Sequence, residues 1–409
     1  MNKFKKTSFG MILLLLLALL VMVSLSTSFA ADRNITNTTD GGISGVVNSS
    51  LANDKIILSD GVYSGNNNKD IIINKNLTIT GTNKANTVLD LGSGDKLFTI
   101  NSGANLILAN LTIKNAQIGN NSYLINNNGR VTIQDCVFTD NTINLVISKR
   151  TIYTTNPNAY HYEDSIGTGY LVLNNGEMVI QDSAFNNNKM NIQYNYYEEV
   201  PYTTNTTIVL PNIVTNNTYV TGGGLVANKG KLNITRSNFT NNNIYTNRSL
   251  NYNYSANQSI TITRENSSGD NIGSQTIDYV YAFIVNTNNL EITNSIFTNN
   301  THYYNNTRND NKNITITTTG GTGKTTTYVS FVNFIFNSAN LNIINSEFRE
   351  TKYNLTYTSN SLNSAYYYIS GGIIYTTTSY KGISETNIKN STFNNNNATN
   401  NQGTVLFIT

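Results

Sequence analysis

Ile133-Gln-Asp-Cys-Val-Phe138, Ile180-Gln-Asp-Ser-Ala-Phe185, Ile234-Thr-Arg-Ser-Asn-Phe239, Ile292-Thr-Asn-Ser-Ile-Phe297, Ile343-Ile-Asn-Ser-Glu-Phe348 and Ile388-Lys-Asn-Ser-Thr-Phe393 are one pattern repeated along the chain. Ile113-Lys-Asn-Ala-Gln-Ile118 reads as a weaker copy. The columns are Ile, any residue, Asn or Asp (once Arg), a small residue, any residue, then an aromatic or aliphatic. Self-similarity of this kind is the mark of a solenoid. Alternation ahead of the hexads, as in Leu232-Asn-Ile234 and Leu290-Glu-Ile292, is the period-2 pattern of a strand with one buried face. Asn or Asp in the third column suits a sharp corner, because a short polar side chain tolerates positive φ. The chain is expected to bend there and to run through the Phe as a short new strand.

Successive Ile columns lie 20, 47, 54, 58, 51 and 45 residues apart. The first spacing suggests a bare coil of about 20 residues, and the others a coil plus an excursion inserted after the Phe column. The excursions therefore gather on one side. Two read as β-hairpins, Ile260–Ile262 with Thr276–Tyr279 and Ile314–Ile316 with Tyr328–Val329. Apolar strands return after them, such as Tyr170–Leu173, Gly223–Val226 and Tyr281–Val285. The sum is an all-β fold, a single-stranded right-handed parallel β-helix with triangular coils and lateral hairpins. Asn residues at equivalent corners can form amide ladders up the stack. Ile43, Val46, Val47 and Leu51 have the spacing of a short helix that would cover the open first coil. Gly403–Ile408 reads as the opening strand of an incomplete coil, so the β-helix is expected to be incomplete at the C-terminus.

Composition narrows the function. The chain has 409 residues and about 75 Asn, with 12% charged residues, 26 Tyr and 1 Cys, which excludes an internal disulfide. Residues 1–30 read as a signal peptide: Lys3, Lys5 and Lys6, an apolar run from Met11 to Val23, and Ser28-Phe29-Ala30 before the cut. The apolar run is shorter than the ~20 residues of a spanning helix, although retention as an anchor is the alternative. Residues 31–409 are then the repeat domain, secreted or displayed at the cell surface. Without the three lysines, 23 basic residues face 23 acidic ones. A neutral chain lacks the cationic clusters that bind phosphate backbones, so nucleic acid is excluded as a partner.

The two-part pattern of Gly223-Gly224-Leu225 or Gly371-Gly372-Ile373 with Phe-x-x-Asn, as at Phe185 to Asn188 and Phe239 to Asn242, resembles the polymorphic outer-membrane protein repeat. Its Asn- and Thr-rich setting is similar to adhesin-like surface proteins of methanogenic archaea. Phe348 departs from the pattern, with Thr351 where Asn is expected. The resemblance implies a pectate-lyase-like β-helix associated with the cell envelope and supplies no catalytic residues.

Chemistry-bearing residues are sparse. Cys136 fills the small-residue column occupied elsewhere by Ser183, Ser237, Ser295, Ser346 and Ser391, which reads as packing rather than reactivity. Gly323-Lys324-Thr325 lacks the upstream Gly of a phosphate loop. Asp135 and Asp182 share a column and are the candidates for acid–base work on sugars, yet the column otherwise carries Asn or Arg, a corner role. His161 and His302 lack acids at metal-ligand spacing. The expectation is no enzyme, no metal and no cofactor, with a polysaccharide lyase or hydrolase as the runner-up and a passive envelope component as a third reading. Tyr194, Tyr196, Tyr197, Tyr252, Tyr254, Tyr303 and Tyr304 cluster in the excursions and are the candidate ligand-binding residues for extracellular or cell-surface glycans, since phenol rings stack on sugars and hydrogen-bond at their tips; packing of one excursion on the next is the competing role. Among many sequons, Asn205, Asn247, Asn354 and Asn397 are candidate glycosylation sites.

Overall fold

In the computed structural model the hexads lie one above another. Residues 30–408 are described except 154–159, 166, 201–206, 211–217, 255–260, 265–276, 311–327, 360–366, 377–384 and 400–405. The signal segment up to residue 29, Asn205 and the Ile314–Ile316 strand lie outside the described residues. The coils build four parallel sheets rather than the three sides of a triangle, the fourth starting only at Gln117–Ile118. The hexad sheet has ten strands, from Asp32–Ile35 to Thr386–Lys389, with Ile133, Ile180, Ile234, Ile292, Ile343 and Ile388 as successive partners. The Phe sheet has nine short strands, including Val137–Thr139 and Ala184–Asn186. The insertion sheet contains the long strands Thr142–Tyr153, Lys189–Val200, Asn243–Tyr254, Thr301–Asp310 and Lys352–Ser359. The return sheet closes the coil through Gly169–Asn174, Thr218–Asn228, Ile277–Asn286 and their neighbours.

Both corners are left-handed and carry Asn or Asp in most coils, with Arg236 and Glu350 as the exceptions. Asp135, Asp182, Arg236, Asn294, Asn345 and Asn390 take φ between 47° and 51°, and Asp140, Asn187, Asn241, Asn299, Glu350 and Asn395 take φ between 52° and 55°. Left-handed backbone breaks the strand ladder and leaves a buried N–H at each corner, which needs a partner. At the first corner the next coil's serine supplies it: Cys136 N donates to Ser183 Oγ (3.1 Å), Ser183 N to Ser237 Oγ (3.2 Å) and Ser237 N to Ser295 Oγ (3.2 Å). At the second corner Asn141, Asn188 and Asn242 each donate Nδ2 to the next Asn Oδ1 at 3.0 Å, ending on Asn300. A further ladder, Asn127, Asn174, Asn228, Asn286 and Asn337, closes the bend between the return and hexad sheets at 2.7–2.8 Å. All three corner types are thus stitched coil to coil.

The interior is a set of columns. Phe138, Phe185, Phe239, Phe297, Phe348 and Phe393 stack with ring centroids 4.5–5.0 Å apart, the strand spacing itself. The return strands enter this core with two consecutive apolar residues, Leu171–Val172, Leu225–Val226, Phe283–Ile284 and Phe334–Ile335. Gly224 sits immediately before Leu225, where a Cβ would lie 2.5 Å from the backbone oxygen of Ala282, so a side chain there would force the backbone to shift.

Several expectations are corrected. Ile113 pairs with Phe138 and so belongs to the Phe column, while Leu108 pairs with Ile133, making the bare coil 25 residues long. Ile277–Tyr279 does not form a hairpin with the 260s; it pairs in parallel with Thr218–Val220, and Thr261–Arg264 pairs in parallel with Thr207–Leu210. The excursions continue the parallel ladder: although their lengths differ, the long insertion strands of neighbouring coils meet in register. Thr142–Tyr153 with Tyr160–Ser165 is the antiparallel pair among the described residues. The capping helix is Gly42–Ser49, with Ile43 and Val47 buried; Leu51 lies beyond it and is exposed. Lys75 Nζ donates to the Ser50 (2.7 Å) and Val47 (3.2 Å) carbonyls at its C-terminal end, where a cation is favourable. Leu406–Ile408 adds a parallel strand beside Ile374–Thr376.

Candidate functional site

Period-2 alternation decides which side chains the insertion sheet displays. Along the strand from Asn243, residues Ile244, Thr246 and Arg248 turn inward, and Tyr245, Asn247 and Ser249 remain accessible. One coil later His302, Tyr304 and Asn306 are buried while Tyr303, Asn305 and Thr307 are accessible. The register places Asn144, Asn191, Tyr245, Tyr303 and Asn354 in one outward row at successive coils. The Tyr245 and Tyr303 rings stack at 4.8 Å and 6°, and Lys189 Nζ lies 4.9 Å from the Tyr245 ring centre. Burial, and then the neighbouring Tyr303, raise the Tyr245 hydroxyl above its usual value, so it stays a donor. Asn191 Nδ2 donates to Asn144 Oδ1 (2.8 Å), which extends the row as a strip of carboxamides.

The same parity revises the tyrosine expectation. Tyr194 and Tyr304 are 4% and 1% exposed and form part of the interior, because they fall on the inward phase of their strands. Tyr194 there faces the buried Arg248 guanidinium at 5.2 Å. Tyr196 packs partly buried on the main core, whereas Tyr197 (45% exposed) and Tyr303 (39%) are accessible. Tyr252 and Tyr254 lie in the strand, with side chains outside the described residues. Tyr245 was not singled out from sequence; its outward phase becomes visible only once Tyr303 is placed in register with it. Of the candidate sequons, Asn247 and Asn397 are exposed and Asn354 is half-buried, all within insertion-sheet strands.

Asp135 and Asp182 are corner residues held by cations. Arg236 grips Asp182 with two bonds of 2.7 and 2.8 Å and holds its carboxyl below the usual range, while Lys84 lies 3.4 Å from Asp135. Cys136 is fully buried, which pushes its thiol up to about 12. His302 donates to or accepts from Thr246 Oγ1 at 3.1 Å inside the core.

A small, open polar depression lies on the outer face of the hexad sheet. Lys231, Asn233, Asn289, Glu291, Asn342 and Glu385 line it over the buried Leu290. Glu291 pairs with Asn342, which pairs with Asn387; Glu385, two residues before Asn387, accepts from its Nδ2 at 2.9 Å. The strands bearing the two carboxylates are therefore two coils, or about 10 Å, apart. These residues were missed because acid pairs were sought within the hexads, whereas Glu291 sits at the outward position between Leu290 and Ile292 of the preceding strand.

No protein-family model and no curated protein sequence matches the chain. Among solved structures it is similar to a mannuronic-acid-specific family 6 polysaccharide lyase from human gut microbiota (12% identity, 85% of this chain and 86% of that one, TM-score 0.26). It is also similar to the pectate lyase Pel9A (12%, 73% and 80%, TM-score 0.22) and to the catalytic domain of a GH87 α-1,3-glucanase (10%, 92% and 68%, TM-score 0.24). Against the expectation of no enzyme, these neighbours are polysaccharide lyases and a glucanase, so that expectation is not kept; at these identities and TM-scores the likeness assigns no activity to this chain.

Proposed function

We propose that this chain is an exported, surface-associated β-helical protein, adhesin-like in its setting, that engages polysaccharide along the outer face of its insertion sheet. The observation that carries the reading is the row Asn144, Asn191, Tyr245, Tyr303 and Asn354. It repeats uncharged hydrogen-bonding and aromatic groups at about 4.8 Å on a rigid surface. A polymer with repeating hydroxyls fits such a row: carboxamides both donate and accept, and the accessible part of Tyr303 offers a ring to sugar C–H faces. Weak contacts repeated along one chain then add through effective concentration. Affinity electrophoresis in gels containing neutral or uronic polysaccharides tests it. Retardation that falls at least about tenfold in Tyr303→Ala is expected, and equal mobility of wild type and variant in every polysaccharide would contradict it.

The depression lined by Lys231, Glu291 and Glu385 favours a second reading in which the protein also cleaves the polymer. Carboxyls ~6.5–9.5 Å apart serve acid and base roles with a water between them. Glu291 and Glu385 sit two coils and two residues of register apart, about 12 Å at the backbone, a span their side chains can shorten toward that range. New reducing ends or unsaturated products that disappear in Glu291→Gln and Glu385→Gln would support it; turnover unchanged in both would exclude these residues.

A further inference from the structure

We propose that Asn247 and Asn305 form a stacked pair of N-glycosylation sites whose sugar lies against Tyr245 and Tyr303 and so controls access to the insertion-sheet face. Tyr245-Thr-Asn247-Arg-Ser249 and Tyr303-Tyr-Asn305-Asn-Thr307 are the same five-residue pattern on adjacent coils, aligned residue for residue. On a strand, positions one, three and five share a face. Ring, acceptor amide and sequon hydroxyl are thus side by side, with both asparagines exposed and both intervening residues, Arg248 and Asn306, turned inward. The modified amide lies about 7 Å from the preceding tyrosine along the strand, the span of one sugar ring. A sugar there can rest its C–H face on the phenol. Asn299 also follows an aromatic at the same distance in sequence, but Phe297 is buried in the core and offers no ring.

The chemistry is glycosyl transfer from a lipid-linked glycosyl phosphate. Asn Nδ2 forms a bond to the anomeric carbon, the carbon–oxygen bond to the lipid phosphate breaks, and the amide proton leaves with the released phosphate. Asn247 and Asn305 are direct partners on strands about 4.8 Å apart, which leaves room for one branched chain on the pair. The covalent assignment stands apart from the binding role; the masking effect rests on it.

Glycopeptide and intact-mass spectrometry of protein from its native producer tests the assignment. One glycan distributed over Asn247 and Asn305 is expected, and Ser249→Ala with Thr307→Ala should abolish it. A pair bare in every molecule overturns the proposal, and two chains on one molecule overturn the shared-site geometry. Masking is read separately, by affinity electrophoresis of native protein against Asn247→Gln/Asn305→Gln. Severalfold stronger retardation of the variant is expected, and unchanged retardation with the glycan present refutes masking. Absence of retardation in both proteins refutes the polysaccharide reading and masking with it, while the mass measurement still decides the modification.

Discussion

Thr351 stands one coil beyond Asn300 in the second corner column, and its buried Oγ1 has no hydrogen-bond partner among the described residues. The asparagine ladder that runs through Asn141, Asn188, Asn242 and Asn300 is interrupted there and resumes at Asn396, whose Oδ1 accepts from Thr351 N at 3.0 Å. Thr351→Asn should restore the missing amide bonds. A gain of about 1 kcal/mol is expected from one buried hydrogen bond with its orphan removed. Chemical denaturation of the two proteins checks it, and a lower midpoint for the variant would contradict the ladder account.

Asn242→Ala should act oppositely. It removes the acceptor of the Asn188 N–H (3.0 Å) and the donor to the Phe185 carbonyl (2.8 Å), both buried. Leaving such groups unpaired costs about 2–4 kcal/mol, and Phe239→Ala, opening a hole in the ring stack, about 3–5 kcal/mol. Equilibrium unfolding measures both.

Acid should loosen the molecule at two places. Asp54 is brought down to about 2 by the Ala31 N–H, then by Arg33 (2.6 Å) and the Leu51 N–H. Its contribution is complete above the unfolded value of 3.8 and is lost as pH falls toward 2, which should release the first coil. Burial brings His302 down to about 3 from 6.5. The unfolded chain takes up that proton first, so stability is full above pH 6.5 and declines by up to about 1.4 kcal/mol per pH unit below it. His302→Leu should flatten the stability profile between pH 6.5 and 3, and a profile identical to wild type would contradict the buried neutral imidazole.

Cys136 should resist thiol reagents in the folded protein. Its burial disfavours the thiolate, the reactive form, and closes access. Alkylation followed by mass spectrometry should find it unmodified in buffer and fully modified in denaturant.

Much of the fold was legible because its periodic parts are local. The Ile and Phe columns, the left-handed third position and the capping helix each show in a few residues of sequence. Ile113 was misassigned because Ile serves equally well in either column, and only pairing with Phe138 separates the two roles. The insertion strands were read as hairpins because alternation along Ile277–Tyr279 identifies a strand and is silent about its partner. The site suffered for the same reason. Tyrosine enrichment was visible, but parity relative to the core divides Tyr303 from the adjacent Tyr304, and register is what sets Tyr245 beside Tyr303.

The most direct test of the central claim is affinity electrophoresis of wild type, Tyr245→Ala and Tyr303→Ala across polysaccharide-containing gels, with circular dichroism to confirm folding. Selective retardation of wild type by at least one polysaccharide, reduced about tenfold in Tyr303→Ala and weakened in Tyr245→Ala, is the expected result. Folded wild type and variants that migrate alike in every gel would contradict the assignment of the insertion-sheet face as the polysaccharide surface.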